Sequence, residues 1–107
     1  MRRQYFVYIV SSKSHAIYIG STSALLVRLA KHRCRFYHGS HTALYRIDRL
    51  VYFEEHPNAA SMVARERQLK GWRRDRKIEL IERENPQWKD LAKDWQLPDL
   101  APPNGRA

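Results

Sequence analysis

Cysteine is nearly missing from this chain, as are glycine, long apolar runs and, in the first half, acidic side chains. A lone cysteine, Cys34, excludes an intrachain disulfide, so a reducing compartment is expected. Four glycines and five prolines, with no repeat or low-complexity segment, exclude fibrous and linker-like classes. The apolar run Tyr5 to Val10 behind Arg2-Arg3 imitates a secretory signal, but it is too short and has no small-residue cleavage site. No segment is long and apolar enough to span a bilayer, so a cytoplasmic protein without membrane contact is expected.

The shortage of acids has a direction. Residues 1–53 hold nine Lys or Arg against Asp48 alone, whereas residues 78–107 hold four against six acids; the formal charge is +9. A second basic cluster, Arg65 to Lys77, sets seven Lys or Arg against Glu66 and Asp75. Basic clusters with interleaved aromatics suit a polyanion, because neutralised phosphates release counterions. A solvated basic surface with no partner is the other reading of the same counts. At 107 residues the chain can hold one compact unit, expected over residues 1–95, followed by a flexible Pro-rich tail over 96–107. That leaves no room for a separate DNA-reading module, and a monomer is favoured.

Two runs rich in aromatic and β-branched residues, Tyr5 to Val10 and Ala16 to Gly20, flank the polar turn material Ser11 to His15. They predict a hairpin that can bring Tyr8 and Tyr18 close across neighbouring strands. Ser21-Thr22-Ser23 then offers helix-capping oxygens ahead of a helix over 24–35. On it Leu25, Arg28, Leu29 and His32 share one face, so a cation and an imidazole interrupt the apolar stripe. A stripe of Leu26, Leu29 and Ala30 with Arg28 flanking it fits the periodicity equally well.

A polar connection over 36–46 leads to a third strand over 47–54. Pro57-Asn58 ends that region and caps a helix from Ala59 to about Trp72, whose predicted inner face is Ala59, Met62, Val63, Glu66 and Leu69. Glu66 is then a carboxylate in an apolar stripe, which calls for a nearby cation; the alternative is an exposed i, i+4 pair with Lys70. A third helix is expected over 75–84, stopped by Asn85-Pro86, and a short closing helix through Trp88, Leu91, Ala92 and Trp95. The fold class is α+β: a small, mainly antiparallel three-stranded sheet flanked by helices, in the order ββαβαα. His32, Cys34, His38 and His41 are zinc-capable types within ten residues, but their spacing fits no common structural zinc signature.

The matched positions extend well beyond any short motif. Phe6-Val7-Tyr8, Tyr18-Ile19-Gly20-Ser21-Thr22, Leu25, Arg28-Leu29, His32, Leu50 to Glu54, Ala64 to Arg74 and Asn85-Pro86-Gln87-Trp88 together closely resemble the GIY-YIG nuclease superfamily. Within it the chain is similar to the small single-domain bacterial branch, the UPF0213 group. The likeness runs over roughly residues 4 to 92, with Phe6 standing where the family name has glycine.

The resemblance implies a metal-dependent endonuclease acting on phosphodiester bonds of DNA, single-stranded or branched, with RNA not excluded. It implies Tyr8 as general base, Tyr18 orienting water or phosphate, Arg28 gripping the scissile phosphate and His32 relaying protons or binding phosphate. Glu66 would be the sole protein ligand of Mg²⁺ or Mn²⁺, which suits an ion that keeps much of its water. Gly20 and Asn85 would support the site, and Lys31, Arg35, His41 and Lys70 would contact nucleic acid. The alternative is a non-catalytic nucleic-acid-binding module of a DNA repair or recombination complex.

Overall fold

The computed structural model describes residues 3–33 and 46–100. Three strands, β1 (Tyr5–Ser11), β2 (Ile17–Thr22) and β3 (Arg49–His56), form one sheet in the order β2-β1-β3, with both pairings antiparallel. Helix α1 (Leu25–Arg33) follows the hairpin; α2 (Ala59–Lys70) and α3 (Arg74–Glu84) follow β3. Among the described residues the order is ββαβαα, and the order and the α+β class are therefore as expected.

Strand alternation sorts the core into two layers. Val7, Ile9, Ile19 and Val51 point to the face covered by Leu69 of α2 and Leu80 and Ile81 of α3. Tyr8, Val10 and Leu50 point to the other, covered by Leu25 and Leu29 of α1 and by Ala92. Because both faces of β1 are covered, residues 7 to 11 are all buried. A register shift between Ile9 and Val10 accommodates one extra residue of β3, which turns both Val51 and Tyr52 towards the α2–α3 layer.

Helix α1 resolves the open choice of stripe. Leu25, Leu29, Ala30 and His32 are buried while Leu26 is 45% exposed, so the face carrying Leu25, Leu29 and His32 is the inner one. Helix α2 begins as its cap predicts, with the Asn58 side chain accepting from the Ser61 N–H at 2.8 Å. Its inner face differs from the expected one: Ala59 is exposed and Val63 is 39% exposed, while Arg65 turns inward with Met62, Glu66 and Leu69. The cause lies on β3. Arg65 Nε donates to both Glu54 oxygens at 3.2 and 3.0 Å, and the same carboxylate accepts from the Tyr52 hydroxyl at 2.6 Å and lies 2.5 Å from His56 Nε2. Partly buried ion pairs of this kind fix geometry more than they add stability.

The expected closing helix does not form; residues 91–94 are turns. The Asp90 carboxylate draws that segment to β3 and α1, accepting from the Leu50 and Ala92 amides at 3.2 and 3.1 Å and from Arg33 at 2.7 Å. Leu91 is consequently turned outward, although its amide donates to the Leu50 carbonyl at 2.7 Å. Trp95 and Leu97 pack against the Tyr8 layer.

Candidate active site

The hairpin register pairs Tyr8 with Gly20 and Val10 with Tyr18, which places the two tyrosines diagonally on one face of the sheet. Their rings are 6.5 Å apart, and the His32 ring completes a triangle at 5.8 Å from Tyr8 and 5.6 Å from Tyr18. Tyr8 Oη lies 3.1 Å from His32 Nε2 in a buried hydrogen bond. Tyr8 is fully buried and Tyr18 only partly so, which makes Tyr18 the member of the pair nearer solvent.

Gly20 is where that arrangement needs the smallest side chain. A Cβ added there would lie 2.6 Å from Tyr8 Oη and 2.7 Å from Cζ of a fully buried ring. Gly20→Ala is therefore expected to push the phenol away from His32 and to destabilise the fold by about 1–3 kcal/mol, the usual range for overpacking. Urea unfolding checks the second effect; unchanged stability would mean that the ring has another seat.

Burial, reinforced by the charge of Arg28, pushes His32 down to about 4. The imidazole is thus neutral near pH 7 and can either accept the Tyr8 proton or donate Nε2–H to a phenolate, whereas an imidazolium could only donate. The depressed value also makes stability depend on pH. Between about 6.5 and about 4 the unfolded chain binds a proton that folded His32 refuses, so stability is intact above that window and falls as the pH drops through it. Each unit is worth about 1.4 kcal/mol, so a loss on the order of 3 kcal/mol is expected from pH 7 to 4. His32→Asn should lose markedly less over the same window; an equally steep profile for that variant would sink the assignment.

Glu66 approaches from the opposite layer. Strand alternation points Ser21 away from Tyr18 and Gly20 and towards α2, where its hydroxyl donates to Glu66 Oε1. Lys70, one turn further along α2, sits 2.6 Å from Glu66 Oε2, with its ammonium 6.0 Å from the centre of the Tyr18 ring. Burial alone would raise the Glu66 carboxyl, but hydrogen bonds from Lys70 and Ser21, with the charges of Lys70 and Arg28, outweigh it and hold the group below the ordinary carboxylate range. Arg28, half-buried on α1, thus acts electrostatically on both His32 and Glu66. The edge strand β2 separates the two half-sites and its side chains contribute to both.

The donor set fits a hard divalent cation. Glu66 is ionised, a hydroxyl oxygen adjoins it, and among the described residues no three His, Cys, Asp or Glu side chains gather into a closed metal site. A single carboxylate, with water and phosphate filling the other positions, is a ligand set magnesium tolerates, and here it would be reached by displacing the Lys70 ammonium from Oε2.

Of the residues singled out from the sequence, Tyr8, Tyr18, Gly20 and His32 are in contact, Arg28 joins them through its field, and Glu66 and Lys70 pair beside them. Lys31 lies on α1, half-buried. Asn85 is elsewhere: its side chain donates to the Val51 and Lys89 carbonyls at 3.1 and 2.9 Å, bracing the end of α3 against β3, the strand furthest from β2. Arg35, His41 and the zinc-capable Cys34 and His38 lie outside the described residues. Ser21 is the site residue that sequence reasoning assigned to helix capping. Thr22 makes the local turn contact instead, its Oγ1 accepting from the Ala24 amide at 2.9 Å.

Comparison with known proteins bears on this geometry. A family model described as the GIY-YIG catalytic domain matches residues 4–79. The solution NMR structure of the UPF0213 protein BH0048 from Bacillus halodurans is similar in fold, with a TM-score of 0.54 at 22% identity, over 87% of this chain and 98% of that one. No curated protein shows significant similarity to the chain.

Proposed function

The chain belongs to the GIY-YIG catalytic-domain family, and from that premise we propose that it is a metal-dependent endonuclease hydrolysing phosphodiester bonds in DNA, with single-stranded or branched DNA as substrate. One observation carries the reading: a buried tyrosine hydrogen-bonded to His32 lies on one face of the sheet and Glu66 at the other face of β2, and the charge of Arg28 reaches both His32 and Glu66.

In this reading Tyr8 Oη takes a proton from the attacking water while its own proton passes to His32 Nε2. A free tyrosine titrates near ~10 and His32 near 4, so the transfer is uphill in the resting site and accompanies the attack rather than preceding it. Tyr18, on the more open side of the pair, orients the water or a phosphate oxygen. Arg28 binds the scissile phosphate and stabilises the charge that develops on its oxygens. Glu66 would hold a Mg²⁺ or Mn²⁺ ion, which when bound would supply Lewis-acid polarisation of the phosphate and charge stabilisation for the leaving oxygen. Since Tyr8 is buried, water and substrate must enter beside Tyr18.

The test is a panel of labelled single-stranded, branched and duplex DNA and RNA, each incubated with Mg²⁺, Mn²⁺ or EDTA. Cleavage that needs the ion and stops with EDTA is expected; binding without cleavage under every metal condition would refute the enzyme.

A further inference from the structure

Lys70 is placed unlike an ordinary surface lysine. Its ammonium is 2.6 Å from Glu66 Oε2 while Ser21 occupies Oε1, so both oxygens of the carboxylate are engaged. The same ammonium lies 6.0 Å from the centre of the Tyr18 ring, so it is near both the carboxylate and the outer tyrosine. The Glu66 side chain is only 21% exposed, whereas that of Lys70 is 50% exposed and free to swing outward at little cost. A tethered cation thus sits where the donor set would receive a divalent one.

We propose that Lys70 is the resident counter-ion of the cation position: it neutralises Glu66 in the metal-free protein, and a divalent ion displaces it onto the nucleic-acid backbone beside Tyr18. The inference rests on the reading of Glu66 as metal ligand. A dication on Glu66 would lie within roughly 4 Å of the ammonium, and repulsion between charges of two and one at that distance disfavours their coexistence about thirtyfold even in a water-like dielectric. Nucleic acid offers the released ammonium a phosphate, so metal and nucleic acid promote each other's binding, by the same factor in both directions. The free protein accordingly holds its metal weakly and loads it together with substrate.

Mn²⁺ binding followed by the loss of the free-ion electron paramagnetic resonance signal, without nucleic acid, tests this on the wild type and on Lys70→Gln, Lys70→Arg and Glu66→Gln. Lys70→Gln should tighten Mn²⁺ roughly tenfold or more, Lys70→Arg should stay near the wild type because it keeps the charge, and Glu66→Gln should lose binding. Adding a single-stranded oligonucleotide to the wild type should tighten Mn²⁺, and do so less in Lys70→Gln. Unchanged or weaker Mn²⁺ binding in Lys70→Gln, with Glu66→Gln still defective, overturns the counter-ion while leaving Glu66 a ligand. Equal binding by the wild type and Glu66→Gln, or none by any variant, removes the metal reading itself and the counter-ion with it.

Discussion

Glu66→Gln is expected to reduce metal-dependent cleavage at least ~100-fold, the scale on which losing a main electrostatic element of a site is felt. The substitution keeps the size of the side chain and its ability to accept from Ser21, but it removes the charge that holds the ion and pairs with Lys70. The folding cost should be small. The Lys70 partner is half-exposed, and pairs of that kind are worth about 1 kcal/mol or less. A folded variant, verified by circular dichroism and thermal unfolding, that still cleaves at the wild-type rate with Mg²⁺ would rule out Glu66 as the metal ligand.

Tyr8→Phe should slow cleavage by ~100-fold or more while leaving nucleic-acid affinity nearly intact, because it deletes one oxygen and keeps the ring. The change removes a buried hydrogen bond to His32 Nε2, so about 0.5–1.5 kcal/mol of stability should go with it. Rates must therefore be compared well below the unfolding midpoint. Tyr18→Phe is the informative control: Tyr18 is the less buried tyrosine, and a larger rate loss there than in Tyr8→Phe would transfer the role of base to it. Arg28→Ala should damage binding and rate together, since it removes a phosphate contact along with transition-state charge. Single-turnover rates and equilibrium binding separate these outcomes, and full activity in Tyr8→Phe would end its assignment.

The family resemblance picked out the candidate residues, and local periodicity accounts for where several of them sit. Alternation along β1 and β2 is enough to put Tyr8, Tyr18 and Gly20 on one face, and the 3.6-residue repeat of α1 brings His32 under them. What periodicity could not decide were contacts made across the sheet. Ser21 reads locally as a capping residue, and its bond to Glu66, 45 positions away, exists only because α2 crosses the far face of β2. The inward turn of Arg65 in place of Val63 likewise depends on Glu54, a residue of a different element. Of the two sequence alternatives for Glu66, the structure shows the i, i+4 pair with Lys70, formed with the carboxylate partly buried rather than exposed.

Among the described residues β2 has a strand neighbour on one side only. No described strand pairs with its outer edge, and an edge of that kind invites a second chain to add a strand. Arg28 from α1 and Lys70 from α2 both act on Glu66, which the Ser21 hydroxyl of β2 contacts, so positive charge stands near that strand and should disfavour an approaching copy of it. The charges read as catalytic equipment therefore double as a guard against self-association. Their removal should then favour aggregation, and in the proposed assays a variant that is inactive because it has clumped must be told apart from one that is inactive because its chemistry has gone.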